Sequence, residues 1–309
     1  MRARVMVAST KAQKKKRPQL TGYYMVLPAT LLVGLFTIYP FAEAIYLSFV
    51  KYITYKPDEI GVFVGLGNFI GAIQESFFAE SVLNTLWFTG ISVLVITLAG
   101  LGVAMVLSQK FKGASLVTSI MLVSWAIPPA TAGLMWRHML QSTGWINKIL
   151  VDLGVWQAPV YFLSMPKVVQ ILFAVVAQLW QQLPFATLLL LATMQLVPKS
   201  VLDSAAMDGA GGFSKFKDVI LPFIRPAVLV VAAFEAFLAL TNYDLVFTFA
   251  GGQFGLISYY AFAELFNYNN FGYGAAMSVI LAGMSLLVIF IILRIVPPEK
   301  LYRYSFTGE

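Results

Sequence analysis

Residues 168–197 read VVQILFAVVAQLWQQLPFATLLLLATMQLV and contain no charged side chain. About 20 consecutive apolar residues are enough for a helix to cross the roughly 30 Å hydrocarbon core of a bilayer. The whole chain of 309 residues is 59% hydrophobic and only 11% charged. Because soluble domains carry about 25% charged residues, the sequence predicts an integral membrane protein.

Five further apolar stretches accompany this run, so the sequence predicts an all-α membrane protein with six transmembrane helices. We divide the chain into a basic tail at 1–21, a first transmembrane helix at 22–50, an outer loop at 51–81, a transmembrane domain at 82–296 and a tail at 297–309. Within the domain, spans are expected near 82–109, 114–137, 168–197, 223–250 and 272–296, with a loop at 198–222 between the fourth span of the chain and the fifth.

The basic residues indicate which way the chain is inserted. If the N-terminus is inside, the inside segments are 1–21, 110–113, 198–225 and 294–309, and they hold sixteen of the 21 Lys and Arg residues. Because inside loops are enriched in Lys and Arg, both termini are predicted to be cytoplasmic. Topology and contact with membrane lipid therefore explain the net charge of +7, and no nucleic-acid partner is needed.

Several chemistries are excluded by composition. The chain has no Cys and one His, His138, so thiolate sites, a His-based metal centre and a Ser-His-Asp triad are not expected. It also lacks the G-x-x-x-x-G-K-[ST] loop that cradles nucleotide phosphates. We therefore predict no catalytic residue, no metal site and no cofactor bound by this chain, and no enzymatic activity of its own.

One polar segment stands between the last two long apolar regions of the chain. Residues 202–222 read LDSAAMDGAGGFSKFKDVILP. The pair Ser200 and Asp203 has the S-x-x-D form of a capping box, which predicts a short helix from about Val201 to Gly209. A second short helix is expected from Phe213 to about Ile220, and small residues on the first would let another backbone approach closely.

This segment resembles the signature loop of permease subunits of binding-protein-dependent ABC importers. That pattern is E-A-A-x-x-D-G-A, five variable residues, F, then a hydrophobic pair ahead of L-P. The chain departs from it at two positions, where Asp203 replaces Glu and Ser204 replaces Ala. The positions that the resemblance assigns to ATPase coupling are Asp203, Ala205, Ala206, Asp208, Gly209, Ala210, Phe216, Leu221 and Pro222.

The resemblance covers most of the chain. The stretches FVGLGNF (63–69), AIPPATAGLMWRHM (126–139), QLWQQLPFATLLLLATMQLVP (178–198) and NYDLVFTFAGG (242–252) are similar to the carbohydrate-uptake branch, of the maltose and glycerol-3-phosphate first-permease type. The resemblance implies the type I ABC importer fold in the prokaryotic inner membrane. It also implies four kinds of partner, namely a second homologous permease, two ABC ATPase subunits that bind ATP and Mg²⁺, an extracytoplasmic solute-binding protein and membrane lipid.

Polar residues inside the predicted spans are candidates for the substrate path, since buried polar groups in a membrane line pathways or pair with one another. Amides suit sugar hydroxyls, and the same side chains also serve as hydrogen bonds between helices. Tyr259, Tyr260 and His138 are expected in the interfacial belt instead. The path candidates are Gln178, Gln181, Gln182, Glu235, Asn242 and Asp244.

Three alternatives stay open at this stage. A membrane transferase acting on lipid-linked sugars would need carboxylates, basic residues or His at one membrane face, and the acids here are scattered. A secondary transporter would show an internal repeat. A permease for glycerol-3-phosphate would need basic residues, and the absence of a Lys/Arg cluster within the spans favours a neutral sugar. Asp203 either contacts the ATPase or only caps its own helix.

Overall fold

Helices dominate the computed structural model, which describes residues 21–109 and 111–294. The predicted tails at 1–21 and 297–309 lie outside these residues except for Thr21. The chain divides into two units, residues 1–46 and residues 47–309. The helices are α1 (Thr21–Val33), α2 (Tyr39–Ser48), α3 (Gly67–Gln74), α4 (Phe78–Ser108), α5 (Ala114–Trp125), α6 (Pro129–Leu140), α7 (Trp145–Asp152), α8 (Lys167–Met194), α9 (Lys199–Met207), α10 (Gly212–Ser214), α11 (Leu221–Thr241), α12 (Asp244–Ala250), α13 (Ile257–Phe262) and α14 (Phe271–Arg294).

The described residues contain the membrane spans that the sequence predicts. Five helical stretches are long and apolar enough to cross a bilayer, and a bent pair of helices makes a sixth if it is one span. The all-α membrane fold is therefore confirmed. The five continuous stretches are Tyr24–Ser48, Phe78–Ser108, Lys167–Met194, Gly212–Thr241 and Phe271–Arg294.

The first unit is helical throughout its described part. A π-helical turn at Gly34–Ile38 joins α1 to α2, so the helix continues through Pro40. Its described side chains are exposed or half-buried within the chain, and almost all of them are apolar. Such a surface is suited to lipid, because a bilayer core offers no hydrogen bonds but accepts apolar side chains.

The second unit is a bundle in which α4 packs along α8 and α11. Small residues let these helices approach closely. A Cβ added at Gly100 of α4 would lie 2.9 Å from Cβ of Ala186 on α8. Apolar clusters fill the spaces above and below this crossing, and α14 packs against α11 and α13.

The third span is broken rather than straight. The helix axis bends by 95° between Ala114–Trp125 and Pro129–Asp152. Pro128 has φ −56° and ψ 141°, because the ring of the following Pro129 excludes the helical conformation at that residue. The side-chain Nε2 of Gln181 donates a hydrogen bond to the carbonyl oxygen of Ile127 at 2.7 Å, which satisfies an acceptor that the break leaves free.

The fifth span differs from the expected 223–250 at both ends. No separate helix forms at 213–220, because α10 continues through a π-helical turn at Lys215–Ile220 into α11. Pro222 lies where the π-helical turn passes into α11, and because it has no N–H it cannot donate a helical hydrogen bond to the preceding turn. At the other end α11 stops at Thr241, and α12 begins at Asp244 after a two-residue turn.

A small hairpin adds β-structure to the loop after the first span. Its strands, β1 (Val50–Lys51) and β2 (Val62–Phe63), pair antiparallel. Asn68 Nδ2 lies 3.0 Å from the carbonyl oxygen of Ser48 and 2.8 Å from that of Val50. The hairpin therefore depends on the asparagine of the FVGLGNF stretch, a role that the sequence pattern did not predict.

The loop between the third and fourth spans is organised by one buried amide. Nδ2 of Asn147 on α7 lies 2.8–3.0 Å from the carbonyl oxygens of Leu140, Gln141 and Val160. Its Oδ1 accepts a hydrogen bond from the Val160 N–H at 2.8 Å. Asn147 is fully buried, so it ties α7 to both ends of its loop.

We expect Asn147→Ala to destabilise this loop by about 2–3 kcal/mol, because it strands several buried backbone groups without partners. The measurement is the thermal unfolding midpoint in detergent, together with the rate of proteolysis between residues 153 and 161. The exposed neighbour Lys148 provides the control, since Lys148→Ala should change stability by no more than about 0.5 kcal/mol. Equal effects of the two substitutions would contradict the role of Asn147 in stabilising this loop.

Candidate coupling segment and substrate path

The polar segment forms a short helix, but not in the predicted way. Helix α9 runs Lys199–Met207, with Pro198 at the N-cap position. Ser200 lies inside the helix, where its carbonyl oxygen accepts a hydrogen bond from Ser204 Oγ at 2.9 Å. The capping-box prediction was therefore wrong. Pro198 ends the preceding turn and presets the chain direction, so the helix begins two residues earlier.

The end of α9 is a Schellman turn at Gly209. The Ala210 N–H donates to the Ala205 carbonyl at 2.9 Å and the Gly209 N–H to the Ala206 carbonyl at 3.1 Å. Gly209 has φ +80°, a conformation that L side chains rarely adopt. No other part of the described chain lies within 4 Å of a Cβ placed at Gly209. The glycine is thus required by the turn and is open to an approaching partner.

The surface around this turn is apolar as well as exposed. None of the α9 residues is buried, and Asp203 and Asp208 are exposed. Met207 is 89% exposed and Phe213 is 77% exposed, on either side of Gly209. Large apolar side chains exposed close to an exposed turn are the kind of surface at which another protein binds. Phe216 and Leu221 are half-buried in the following helix, and Pro222 is exposed at its start.

Two of the predicted path residues meet at the end of α11. Nδ2 of Asn242 donates a hydrogen bond to Oε1 of Gln178 at 3.3 Å. Oδ1 of Asn242 also accepts from the Leu245 N–H at 3.2 Å, which places Asn242 at the start of α12. Asp244, the first residue of α12, is exposed. The structure therefore joins Gln178 to Asn242, with the exposed Asp244 two residues further along the chain, and these three residues are called the mouth below.

Glu235 lies elsewhere in the bundle. It precedes Asn242 by seven residues on the same helix, a rise of about 10 Å. The rings of Phe185 and Phe234, 4.7 Å apart, place it level with the crossing of α4 and α8. Glu235 is fully buried, and neither carboxyl oxygen meets a hydrogen-bond partner among the described residues. It is separated from the mouth.

The remaining two amides point in different directions. Gln181 is occupied by the break at Ile127, as described above. Gln182 is half-buried, and its Oε1 has no hydrogen-bond partner within the described part of the chain. Several buried hydroxyl groups on α4 and α8 also have no hydrogen-bond partner among the described residues. We call these atoms, together with the Gln178 and Gln182 amides, the polar seam. The other seam atoms are Oγ1 of Thr89, Thr97 and Thr187, Oγ of Ser92 and Nε2 of Gln178.

A stack of aromatic rings borders the mouth, and sequence analysis missed it. Tyr243 stacks on Phe247 at 5.2 Å, on Tyr259 at 6.5 Å and on Phe262 at 4.0 Å between ring centroids, with interplanar angles of 12–20°. Tyr259 and Tyr260 were expected in an interfacial belt. Both are half-buried in ring contacts within the chain, and Tyr260 stacks on Phe77, so their position in such a belt stays a prediction. The spacing of Tyr243 and Phe247, one helical turn apart, was the available signal.

The mouth is held in place by close packing of α12 on α6. A Cβ at Gly133 of α6 would overlap Oγ1 of Thr248 and the carbonyl oxygen of Leu245. Leu245 and Phe249 of α12 are fully buried in the cluster that also contains Ala132. The contact therefore fixes the direction of α12, and with it the positions of Asn242 and Asp244.

A bundle of five or six membrane-spanning helices, with an exposed polar segment between two of them, is consistent with a transmembrane permease subunit. A family model described as binding-protein-dependent transport system inner membrane component matches residues 96–299. The chain belongs to this family. It is therefore a non-catalytic inner-membrane component of an ABC transporter, and the family match gives no support to the transferase alternative.

Curated relatives agree with the family. The chain is 34% identical over 272 residues to the trehalose/maltose transport system permease protein MalF of Thermococcus litoralis, covering 86% of this chain and 90% of that protein. It is 30% identical over 280 residues to the trehalose transport system permease protein SugA of Mycobacterium tuberculosis, covering 89% and 88%. Both matches cover almost the full length of the relative.

Solved structures share the fold. A bacterial alginate ABC transporter, in complex with an alginate pentasaccharide-bound periplasmic protein, contains a chain that superposes with a TM-score of 0.74 at 20% identity. The match covers 91% of this chain and 95% of that chain. The MetNI methionine ABC transporter gives a TM-score of 0.53 over 74% of this chain. The fold is thus that of an ABC importer permease.

Proposed function

We propose that this chain is the membrane-spanning subunit of an ATP-driven sugar importer, with both termini in the cytoplasm. The observation that carries the proposal is the exposed turn at Gly209, bordered by Met207 and Phe213. This segment has the small residues and the apolar surface that a partner groove would accept. Since the chain lacks a phosphate loop, two partner ATPase subunits would bind ATP and Mg²⁺ and drive the cycle through α9.

The polar mouth supports a sugar as the substrate. Gln178, Asn242 and Asp244 offer amide and carboxylate groups for hydroxyls, and the half-buried ring of Tyr243 next to them offers an apolar contact for a sugar. The only charged side chain buried among the described residues is that of Glu235, so no buried lysine or arginine is available to neutralise a phosphate. This favours a neutral sugar over glycerol-3-phosphate.

In this proposal the chain forms half of the translocation path, and a second homologous permease forms the other half. An extracytoplasmic solute-binding protein would deliver the sugar to the mouth. The relatives named for trehalose and maltose transport make a disaccharide the first substrate to test. Glu235, Gln182 and the seam hydroxyls would become the inner part of the path when the helices separate.

The direct test is isolation of the tagged chain from its native membranes. We expect an ABC ATPase and a second permease to co-purify, and ATP hydrolysis in proteoliposomes to rise when a sugar-loaded binding protein is added. Recovery of the chain without any ATPase would contradict the proposal. Stimulation by a binding protein loaded with a phosphorylated polyol, and not with a sugar, would contradict the substrate class alone.

We expect Asn242→Leu and Gln178→Leu to raise the apparent KM for sugar uptake about tenfold each, because each removes a hydrogen bond worth about 1–1.5 kcal/mol. The pair shares one contact, so the double variant should lose less than the product of the two effects. Uptake of labelled disaccharide measures this. The control is Gln195→Leu, at the exposed far end of α8, and an equal effect there would contradict the assignment.

A further inference from the structure

Helix α3 has three distinct surfaces along its length. Asn68, Phe69 and Ala72 face inward, where they contact the hairpin and the start of α14. Leu66, Ile70 and Ile73 form an exposed apolar stripe and are 52–59% exposed. Their spacing of three and four residues puts them on one side of the helix. Gln74 and Gly67 form an exposed third side that carries no apolar side chain.

Helix α7 repeats this arrangement in a different loop. Asn147 and Ile146 face inward, with Asn147 hydrogen-bonded as described. Trp145, Ile149 and Leu153 form an exposed apolar stripe, with exposures of 56%, 45% and 72%. Lys148 and Asp152 lie beside that stripe and are exposed. Each helix therefore has a protein-facing side, an apolar exposed side and a side free of apolar residues.

The two helices lie at the same face of the membrane when the bent pair is counted as one span that ends with α6. Helix α3 then connects the first span to the second, and α7 connects the third to the fourth. Alternate connections of a multispan chain emerge on one side, whichever way the chain is inserted. Both helices are also short and begin or end within a few residues of a span, so neither can lie far from the bilayer.

The helix that follows α3 also carries exposed apolar side chains. Four residues after α3, α4 begins at Phe78, and its outer half carries the exposed side chains Leu83, Leu86 and Trp87. These side chains line an apolar groove on the bundle surface together with Gly90, Ile91 and Leu94. On α7, a tryptophan in the stripe with a lysine beside it is the composition of a bilayer interface.

We propose that α3 and α7 lie in the plane of the membrane at the boundary between headgroups and acyl chains of the outer leaflet. The apolar stripes enter the acyl region, and Gln74, Lys148 and Asp152 face the headgroups and water. In that position the two helices fix the depth of the hairpin and of the Asn147 loop relative to the bilayer.

The chain has no cysteine, so single cysteines can be introduced directly. Ile70→Cys and Ile149→Cys test the stripes, and Gln74→Cys and Lys148→Cys are matched controls on the same helices. The full chain, spin-labelled and reconstituted in nanodiscs of phosphatidylethanolamine and phosphatidylglycerol, is probed with oxygen and with a water-soluble nickel chelate. We expect oxygen collisions to exceed nickel collisions at the stripe positions and the order to reverse at the controls.

Two results would overturn the proposal. Strong nickel accessibility at positions 70 and 149 would place the stripes in water. Low accessibility to both reagents would show that a protein surface covers them, whether the first helix of this chain, a second permease or the binding protein. Ile73→Cys and Leu153→Cys provide second positions on each stripe if a first variant does not fold. The measurement needs neither ATP nor sugar, so its outcome is independent of the proposed transport function.

Discussion

Gly209→Arg is expected to abolish ATP-driven uptake while leaving the chain folded in the membrane. The turn at Gly209 has φ +80°, and an arginine there costs about 1–2 kcal/mol in backbone strain. That strain is local, because no described atom lies within 4 Å of the new Cβ. The large effect comes from the partner, since a long charged side chain would occupy the space that a docking groove requires.

We expect the loss of this contact to cost about 3 kcal/mol, which weakens the association with the ATPase roughly a hundredfold. Co-purification of the ATPase and the rate of ATP hydrolysis in proteoliposomes measure the effect. Gly209→Asn is the control, because asparagine tolerates the left-handed conformation and is short. If the arginine variant assembled and hydrolysed ATP as the unmodified chain does, α9 would not be the coupling element.

Gly133→Ala is expected to have the second large effect, on stability and on the mouth together. The added methyl group would overlap the Leu245 carbonyl oxygen of α12, and a backbone atom cannot move without moving its helix. Overpacking of this kind costs about 3 kcal/mol. We expect a lower unfolding midpoint in detergent and a raised KM for sugar, since α12 carries Asp244 and is joined to Asn242.

Two variants separate this effect from its alternatives. Gly90→Ala on α4 adds the same methyl group where no described atom lies within 4 Å, so its stability should be unchanged or slightly raised by the better helix propensity of alanine. Thr248→Ala removes the other overlapping atom, Oγ1. The double variant Gly133→Ala with Thr248→Ala should remain destabilised, because the Leu245 carbonyl is still in place. Full recovery in that double variant would assign the clash to the threonine alone.

Much of the fold could be predicted from patterns in the amino-acid sequence. Apolar runs of membrane length predicted the spans, because lipid requires every backbone polar group to be satisfied within a helix. The S-x-x-D pattern at Ser200 and Asp203 predicted a short helix from about Val201 to Gly209, and a short helix does form there, at Lys199–Met207. The start was misjudged because Ser200 and Asp203 have the form of a cap, whereas Pro198 already occupies the position that a cap would take.

The roles of the residues in the candidate path could not be predicted from sequence patterns. Gln178, Gln181 and Gln182 look equivalent in the sequence, yet one bonds Asn242 and one supports the break at Ile127. Asn147 and Asn68, the amides that organise the two outer loops, carry no pattern that separates them from surface residues. An amide can serve any nearby carbonyl, and which carbonyl is near depends on helices distant in the sequence.

The sequence by itself therefore determined that the chain spans a membrane, which segments are apolar enough to cross it and where the short polar helix between two of them lies. These properties depend on hydrophobic length and on local backbone conformation, both of which are local in the chain. Only the tertiary structure decided that Glu235 is fully buried without a hydrogen-bond partner among the described residues, that Tyr243 belongs to a ring stack, and that α3 and α7 each expose an apolar stripe. Those properties depend on how helices cross, and the crossing is set by side-chain fits such as Gly100 with Ala186.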